Sequence, residues 1–210
     1  MKIKHHEDSF PYIVIENTYT PEELELIWEE LNFLCYPEKL IPPEESSSAA
    51  AIDTDSGRVL KKNMCTWLEK CYKEPRLSNI EKVNNKFFDH FDEIFDNHPS
   101  WYFKTFQFNY KSTLISYYEN SDYYEPHTDV ARVTCLTWLF KEPRKFTGGE
   151  LTLFYENTEI TFQLNNNVTV IFPGSIMHSV SEVVMDESEC GKKNGRFCLT
   201  QFLFFNGDHK

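Results

Sequence analysis

The strongest constraint on the fold is a two-residue alternation of apolar and polar side chains that begins at Trp101 and continues to about residue 205. The alternation predicts eight strands, separated by turn-forming residues such as Gly148-Gly149. The predicted strands are 101–109, 111–118, 132–140, 150–155, 159–163, 168–172, 176–184 and 196–205. Because no helix alternates with these strands, the pattern favours a double-sheet jelly roll over a parallel α/β fold.

The first hundred residues carry helical periodicity instead. After a short predicted strand at 10–15, Thr20-Pro21-Glu22-Glu23 combines a Thr cap, an early Pro and a capping-box Glu, which predicts a helix ending near Tyr36. A second capping-box pattern at Ser78 opens an apolar stripe that ends near residue 98, and a short helix is predicted over 64–72. The predicted fold class is therefore α+β and mainly β, with N-terminal helices that support one sheet.

The chain length indicates one domain over residues 1–210. Residues 1–100 are expected to hold the N-terminal strand and the supporting helices, and residues 101–207 the jelly-roll core. A stretch rich in Pro, Ser and Ala, residues 41–62, is too long for a simple connector. We interpret it either as a flexible surface loop or as a lid over a binding site.

Composition narrows the classes of function. The chain has 33 acidic and 21 basic residues, and the resulting net charge of −12 disfavours nucleic acid as a partner. No apolar run approaches the length of a signal peptide or a membrane span, so no membrane association is expected. The six cysteines form no Cys-x-x-Cys pair and are predicted to be reduced thiols, which favours a cytoplasmic location.

Three His-x-Asp patterns occur, beginning at His6, His90 and His127. The first lies in a polar tail, and the second lies in a helical segment, where residues two apart point to nearly opposite sides. In an extended segment, however, His127 and Asp129 point to the same face. With His178 as the third ligand, they make the 2-His-1-carboxylate set that suits non-haem Fe(II) and leaves coordination positions open. The alternative for His178 alone is a hydrogen-bonded core histidine.

Arg196 opens the last predicted strand, inside an otherwise apolar and aromatic run. A buried guanidinium is costly unless it meets an anion, and its planar fork fits a carboxylate. A dicarboxylate that chelates the iron at one end and contacts Arg196 at the other would satisfy both sites. The alternative is a salt bridge from Arg196 to an internal Asp or Glu.

The ordered set His127-x-Asp129, Gly148-Gly149-Glu150, His178 and Arg196 resembles the Fe(II)/2-oxoglutarate-dependent oxygenases. Tyr118 and the stretch Tyr124-Glu125-Pro126-His127-Thr128-Asp129 are similar to the prolyl 4-hydroxylase branch, and the resemblance covers roughly residues 100–205. It implies a double-stranded β-helix, Fe(II) on His127, Asp129 and His178, 2-oxoglutarate as cosubstrate and O2 as oxidant. It also allows ascorbate as an auxiliary reductant.

The resemblance further implies which residues contact the cosubstrate. Arg196 would bind the C5 carboxylate of 2-oxoglutarate, and Tyr118 matches a tyrosine that hydrogen-bonds the cosubstrate. Leu151 follows Gly-Gly-Glu, where many relatives carry Thr, and Trp138 lies where a cosubstrate-binding Tyr can occur.

The implied activity is hydroxylation of an aliphatic carbon, with a prolyl residue of a peptide or protein as the implied substrate and with succinate and CO2 as products. One alternative keeps this chemistry but takes a free amino acid or a nucleobase. Another is a non-catalytic jelly-roll module that binds a metal. A closed structural zinc site usually has four protein ligands, and the sequence offers three.

Overall fold

A computed structural model describes residues 1–7, 9–37, 39–46 and 49–205, with every side chain in these ranges except those at positions 86 and 87. Fourteen strands lie in these described residues. In chain order they are β1 Lys2–His6, β2 Tyr12–Glu16, β3 Lys61–Lys62, β4 Met64–Trp67, β5 Tyr110–Tyr118, β6 Tyr123–His127, β7 Val133–Leu139, β8 Phe146–Thr147, β9 Leu151–Tyr155, β10 Thr158–Thr161, β11 Val168–Pro173, β12 Met177–Val180, β13 Val184–Met185 and β14 Arg196–Phe204.

The strands form two large sheets, and every strand pair in them is antiparallel. The seven-stranded sheet has the order β1-β2-β11-β7-β14-β5-β4, and the five-stranded sheet has the order β10-β9-β12-β6-β3. A separate two-stranded ribbon pairs β13 with β8. This arrangement is the predicted jelly roll, in an α+β chain that is mainly β.

The main core lies between the two sheets and follows from the alternation of each strand. Trp138 of β7 and Cys198 of β14 pack with Leu153 of β9 and Val180 of β12 in one cluster of buried side chains. The neighbouring positions along β7 and β14 point outward and pack in a second cluster, described below. The seven-stranded sheet is therefore apolar on both faces, and its outer face needs a cover.

Helices provide that cover. They are α1 Pro21–Leu34, α2 Leu68–Cys71, α3 Asn79–Phe88 and α4 Trp101–Lys104, with a π-helical segment at Asp92–Asp96. Leu31 of α1 and Val83 of α3 pack with Leu139 and Phe197 on the outer face of the seven-stranded sheet. The prediction that N-terminal helices support one sheet is confirmed.

The two capping-box predictions have different outcomes. At the start of α1 both bonds form: Thr20 Oγ1 accepts from Glu23 N at 3.3 Å, and Glu23 Oε2 accepts from Thr20 N at 3.0 Å. At the start of α3, Ser78 Oγ accepts from Glu81 N at 3.0 Å. The Glu81 carboxylate, however, accepts from Lys111 and Thr113 of β5 and so ties the helix to the sheet.

Two predicted elements are wrong. Residues 101–109 were predicted as a strand, but they open with helix α4, because Ser100 caps it by accepting a hydrogen bond from Tyr102 N at 3.3 Å. Residues 64–72 were predicted as a helix, but Met64–Trp67 pairs with β5 as an edge strand and only Leu68–Cys71 is helical. Pairing between strands outweighs local propensity at this edge.

Two further expectations concern cysteines and membranes. All six cysteines are free thiols, as predicted. Within the described residues, each helix is too short or too polar to cross a bilayer.

Candidate functional site

The structure brings His127, Asp129 and His178 together at one end of the main core. His127 is the last residue of β6 and lies directly opposite His178 of β12 in the strand register. One ligand atom from each of the three residues lies within 4.8 Å of the others. The Nε2 atom of His178 is 3.4 Å from Asp129 Oδ2, and that of His127 is 3.8 Å from Asp129 Oδ1. The three side chains therefore face a single point.

Hydrogen bonds fix the orientation of both imidazoles. His127 Nδ1 lies 2.8 Å from the carbonyl oxygen of Glu125, and His178 Nδ1 lies 3.0 Å from that of Ile176. Because a carbonyl oxygen only accepts, each Nδ1 donates to it, and each Nε2 is directed at the shared point. Burial lowers the pKa of His127 to about 2, with a further lowering from His178 and Lys61. Neutral imidazoles are the form that binds a metal.

Asp129 lies just beyond the end of β6, where two contacts hold it. Its backbone N–H donates to the Gly174 carbonyl at 2.8 Å, and its Oδ2 accepts from Thr134 Oγ1 at 2.6 Å. Gly174 is required by close packing, since a Cβ there would lie 2.0 Å from the Ala131 carbonyl oxygen. The carboxylate is therefore oriented before any ligand arrives.

A cavity of about 510 Å³ opens beside the three side chains, between the two sheets. Its floor is the inward face of β5 and β14, including Ser116, Tyr118 and Thr200, and its outer end is apolar, with Trp67 and Phe202. A cavity of this size admits a small molecule or the side chain of a peptide. The candidate metal site is therefore accessible from one side.

The segment predicted to be a flexible loop or a lid, residues 41–62, closes part of this cavity. Ser47 and Ser48 of that segment lie outside the described residues. Residues 49–62, which we call the strap, run along β6: Ala51 N donates to Tyr124 Oη at 2.7 Å, and Glu125 N donates to the Leu60 carbonyl at 2.9 Å. Arg58 adds a bidentate ion pair to Glu125, at 2.6 and 2.8 Å. The strap is thus attached to the strand that carries His127.

The Tyr124 ring joins the strap to the candidate metal site. It stacks on the His127 imidazole with 3.5 Å between ring centroids and an interplanar angle of 15°. Because Tyr124 also accepts the strap hydrogen bond from Ala51, a shift of the strap would be transmitted to His127.

Arg196 is fully buried, and its Nε, Nη1 and Nη2 atoms have no hydrogen-bond partner. No described Asp or Glu makes a salt bridge with it, so the alternative of an internal ion pair fails for the residues that the structure describes. The guanidinium carbon lies 5.1 Å from the Tyr118 ring centroid and 5.9 Å from that of Trp138. A buried, unpaired guanidinium between aromatic rings is suited to an anionic ligand.

The other three predicted cosubstrate contacts lie in the same core cluster. Tyr118 lines the cavity and faces Arg196 across the β5–β14 pair, and burial raises its pKa well above the ordinary value. Trp138 is buried behind Arg196, with its Nε1–H donated to the Asn165 carbonyl at 2.6 Å. Leu151 is fully buried at the start of β9. Of these three predicted cosubstrate contacts, Tyr118 offers a polar group, and Trp138 and Leu151 offer apolar surfaces.

The backbone at Gly149 packs closely against the Arg196 side chain. A Cβ at Gly149 would lie 3.0 Å from Arg196 Cδ, and the residue has φ +77°. The Gly148-Gly149 pair is therefore more than a tight turn, because a side chain at Gly149 would displace Arg196.

Sequence reasoning missed three polar residues of the site, namely Lys61, Ser116 and Thr134. Thr134 could have been found from strand alternation, because it shares a face with Leu136 and Trp138 on a predicted strand. Lys61 gave no usable signal, since its position depends on pairing with β6, far along the chain. Of the other His-x-Asp patterns, Asp8 lies outside the described residues, and His90 has a half-exposed side chain beside Glu93.

The donor set and the unpaired guanidinium fit the cofactors that the sequence resemblance implies. Two imidazoles and a carboxylate form the facial triad of non-haem Fe(II) enzymes, and three ligands leave room for further donors. Arg196 lies in the same inter-sheet core and fits a carboxylate at the distal end of a chelating dicarboxylate.

Comparison with known proteins agrees with this geometry. Residues 113–204 match the family model of the 2OG-Fe(II) oxygenase superfamily. No curated protein sequence matches the chain.

Solved structures of the same fold include three prolyl hydroxylases. A Pseudomonas putida prolyl-4-hydroxylase is 13% identical, with a TM-score of 0.58 over 93% of each chain. A Trichoplax adhaerens prolyl hydroxylase, solved with a hypoxia inducible factor oxygen degradation domain peptide fragment, is 14% identical, with a TM-score of 0.61 over 92% of this chain and 83% of that one. A Phytophthora capsici prolyl 4-hydroxylase is 15% identical, with a TM-score of 0.59 over 93% of this chain and 59% of that one.

At this level of identity, the solved structures establish the fold, and the family model carries the chemistry. The match covers β5 to β14, which include the two histidines, Asp129 and Arg196. Residues 113–204, which include the triad and Arg196, therefore match the 2OG-Fe(II) oxygenase superfamily, and this match supports Fe(II)/2-oxoglutarate-dependent dioxygenase chemistry at the site they form.

Proposed function

We propose that His127, Asp129 and His178 hold Fe(II), and that the enzyme hydroxylates an aliphatic carbon, with a prolyl residue of a peptide or protein as the substrate. Succinate and CO2 are the coproducts. The observation that carries the proposal is the convergence of the three ligand atoms within 4.8 Å beside an open cavity. A closed structural site would offer a fourth protein ligand instead.

Fe(II) and 2-oxoglutarate, when bound, together activate O2 and couple oxidative decarboxylation of the cosubstrate to hydroxylation of the substrate. The protein supplies orientation and excludes water. The Nδ1–H bonds of His127 and His178 keep both Nε2 lone pairs directed at the metal position. Arg196 fixes the C5 carboxylate of 2-oxoglutarate, Tyr118 hydrogen-bonds the cosubstrate, and Trp138 and Leu151 form the apolar wall.

The strap contributes by covering the reacting position. Ala49 to Ile52 line the cavity, and Ala49 packs with Leu114 of the seven-stranded sheet, so the strap covers part of the space in which a substrate would bind. Exclusion of bulk water strengthens the charge interactions of Arg196 and prevents unproductive oxidation. A prolyl ring on an extended peptide is small enough to enter the cavity while the peptide stays outside.

The first experiment measures succinate. Protein reconstituted anaerobically with Fe(II) and 2-oxoglutarate should form succinate when O2 is admitted, and ascorbate is tested as an additive. His127→Ala and Asp129→Ala should lose both metal binding and succinate formation, whereas the control His90→Ala, at the unselected His-x-Asp pattern, should keep both. Wild-type protein that neither binds metal nor decarboxylates 2-oxoglutarate would contradict the proposal.

A second experiment identifies the substrate. Prolyl peptides, free amino acids and nucleobases are incubated with the active enzyme, and products are examined by mass spectrometry for a gain of one oxygen. The prolyl proposal requires that gain on a proline of a peptide. A gain on free amino acids or nucleobases alone would keep the chemistry and replace the substrate.

A further inference from the structure

A second buried cation, Lys61, lines the cavity and takes no part in the proposed iron or cosubstrate sites. It lies in β3 opposite Tyr124 and is 3% exposed. Its Nζ donates to Ser116 Oγ at 2.9 Å and to the Ala49 carbonyl at 3.3 Å, and lies 5.1 Å from the Tyr124 ring centroid. No described carboxylate oxygen lies within 4.0 Å of it. Lys61 is therefore a buried amine without a protein counter-ion.

The balance of charge around the cavity leaves Lys61 uncompensated. Asp129 and Lys61 are the only acidic and basic side chains that line it within the described part of the chain, and Arg196, which does not line it, packs on the Tyr118 ring, which does. The charges of Fe(II) and of the 2-oxoglutarate dianion cancel, and those of Asp129 and Arg196 also cancel. One positive charge, that of the Lys61 ammonium, remains in a largely apolar enclosure, where an unpaired charge is costly.

Burial also affects the protonation of Lys61. Desolvation lowers the pKa of its amine, the Asp129 carboxylate opposes this effect, and the Arg196 guanidinium adds to it. A carboxylate that enters the cavity would favour the protonated amine, because no described carboxylate forms an ion pair with Lys61. Such an interaction is charge-assisted and desolvated, so it is stronger than a surface ion pair.

Lys61 also lies at a different position along β5 and β14 from the proposed cosubstrate site. Arg196 pairs with Tyr118, whereas Ser116, the hydrogen-bond partner of Lys61, pairs with Cys198 two residues along the strands. Two residues of strand correspond to about 7 Å. Beyond Ser116 the floor continues to Leu114 and Phe202 at the apolar outer end of the cavity. The Lys61 position thus lies on the path from the outer end to the proposed metal position.

We propose that Lys61, oriented by Ser116, is a specificity-determining residue that binds a carboxylate of the substrate. The substrate would then combine a carboxylate with an apolar group that is hydroxylated. The inference rests on the proposed function and deepens it. The carboxylate has two sources: the free carboxyl group of an amino acid or chain terminus, or an Asp or Glu side chain next to the target residue. Both present the same chemistry to the amine.

The test uses matched probes that differ only in charge. For the first source they are N-acetyl-L-proline and N-acetyl-L-prolinamide, and for the second acetyl-Asp-Pro-amide and acetyl-Asn-Pro-amide. The protein carries Mn(II) and saturating 2-oxoglutarate, so no turnover occurs, and the paramagnetic ion broadens the proton NMR signals of any probe bound near it. Wild-type protein should bind one carboxylate probe about 10-fold or more tightly than its amide.

Three variants accompany the wild type. Lys61→Met removes the charge and keeps the length, and Lys61→Gln removes the charge and keeps a hydrogen-bond donor. Both should reduce the preference for the carboxylate to within about 2-fold. Lys62→Met is the matched control, because Lys62 is exposed and binds Ser121 and Asp122 outside the cavity; it should keep the wild-type preference.

Each contrary outcome has a distinct meaning. Equal binding of carboxylate and amide by the wild type, or an equal loss of both in Lys61→Met, would reject the proposal in favour of a purely structural lysine. Loss of 2-oxoglutarate affinity in Lys61→Met, measured without probe, would assign Lys61 to the cosubstrate site and also reject it. Failure of the proposed function would appear separately, as wild-type protein that binds no 2-oxoglutarate in the presence of Mn(II).

Discussion

Thr134 donates a hydrogen bond of 2.6 Å to Oδ2 of Asp129, the same oxygen that lies 3.4 Å from Nε2 of His178. Thr134 is fully buried in β7, so this bond is not shared with solvent. It orients the carboxylate and leaves Oδ1 facing His127. Partners of this kind, which contact a ligand and not the metal, commonly change metal affinity by about 10- to 100-fold.

The first prediction is that Thr134→Val weakens metal binding by about 10- to 100-fold with little change in fold, since Val keeps the shape and loses the donor. Metal affinity is measured by titration with Mn(II) or Co(II). The control is Thr137→Val: Thr137 lies on the same strand, is buried, and bonds Thr169 at 2.6 Å on the other face. Equal metal affinities in the two variants would contradict an orienting role for Thr134.

The second prediction is that replacing Arg196 weakens 2-oxoglutarate binding but does not destabilise the ligand-free protein. Arg196→Met should lower 2-oxoglutarate affinity by about 100-fold or more, because it removes a charge-assisted bidentate partner. The same change should leave the ligand-free protein at least as stable as wild type, since a buried charge without a partner is removed. Affinity is measured with Mn(II) present, and stability by urea unfolding.

Arg144→Met is the control for Arg196. Arg144 is exposed and donates to the Leu164 carbonyl at 3.0 Å, so its loss should leave 2-oxoglutarate affinity unchanged. A clear destabilisation of ligand-free Arg196→Met would show that the guanidinium has a protein partner and would remove the argument for an anion site.

The third prediction is a dependence of stability on pH in metal-free protein. Burial lowers the pKa of His127 far below the ordinary histidine value of 6.5. Below pH 6.5 the unfolded chain therefore takes up a proton at His127 that the folded chain does not, and the free energy of unfolding falls as pH falls. The expected slope from this residue is about 1.4 kcal/mol per pH unit between pH 6 and pH 4.

Urea unfolding in the presence of a chelator measures that slope. His127→Gln cannot take up the proton, so its slope should be smaller by about 1.4 kcal/mol per pH unit, the contribution of one proton. His90→Gln, an exchange at a half-exposed histidine, should keep the wild-type slope. Identical slopes for wild type and His127→Gln would mean that His127 is protonated in the folded protein and is held by Asp129 as an ion pair.

The sequence predicts the strand-rich half of this chain well because alternation is a local property. Strands β5, β7, β9, β11 and β14 lie within the predicted ranges or one residue beyond them, and the strand register then places His178 opposite His127. The errors have two causes: over 64–67, pairing with β5 outweighs local propensity, and at 101–104 a local cap decides. At Trp101 the two-residue alternation suggested a strand, but the Ser100 cap and the burial of Phe103 favour a helix.

The site could be predicted only in part, for a related reason. Ligand types and their order along the chain indicate the proposed iron site, because few chemistries combine two histidines, a carboxylate and a buried arginine. Lys61 and Ser116 meet through strands that are more than fifty residues apart in the sequence, at a hydrogen bond of 2.9 Å. Nothing local to Lys61-Lys62 distinguishes the buried lysine from its exposed neighbour, since pairing with β6 alone decides which one points inward.

Gly174 provides the last prediction, because it fixes the backbone that carries Asp129. A Cβ at Gly174 would lie 2.0 Å from the Ala131 carbonyl oxygen and 3.2 Å from that of Asp129, so Gly174→Ala must displace this segment and disturb the 2.8 Å bond from Asp129 N to the Gly174 carbonyl. We expect a destabilisation of about 2–3 kcal/mol by urea unfolding, together with a large loss of Mn(II) affinity. Gly191→Ala is the control: its Cβ meets no atom within 4 Å, and its φ of +75° predicts only a strain cost of about 1 kcal/mol, with Mn(II) affinity unchanged. If Gly174→Ala bound Mn(II) as wild type does, the position of Asp129 would not depend on this contact.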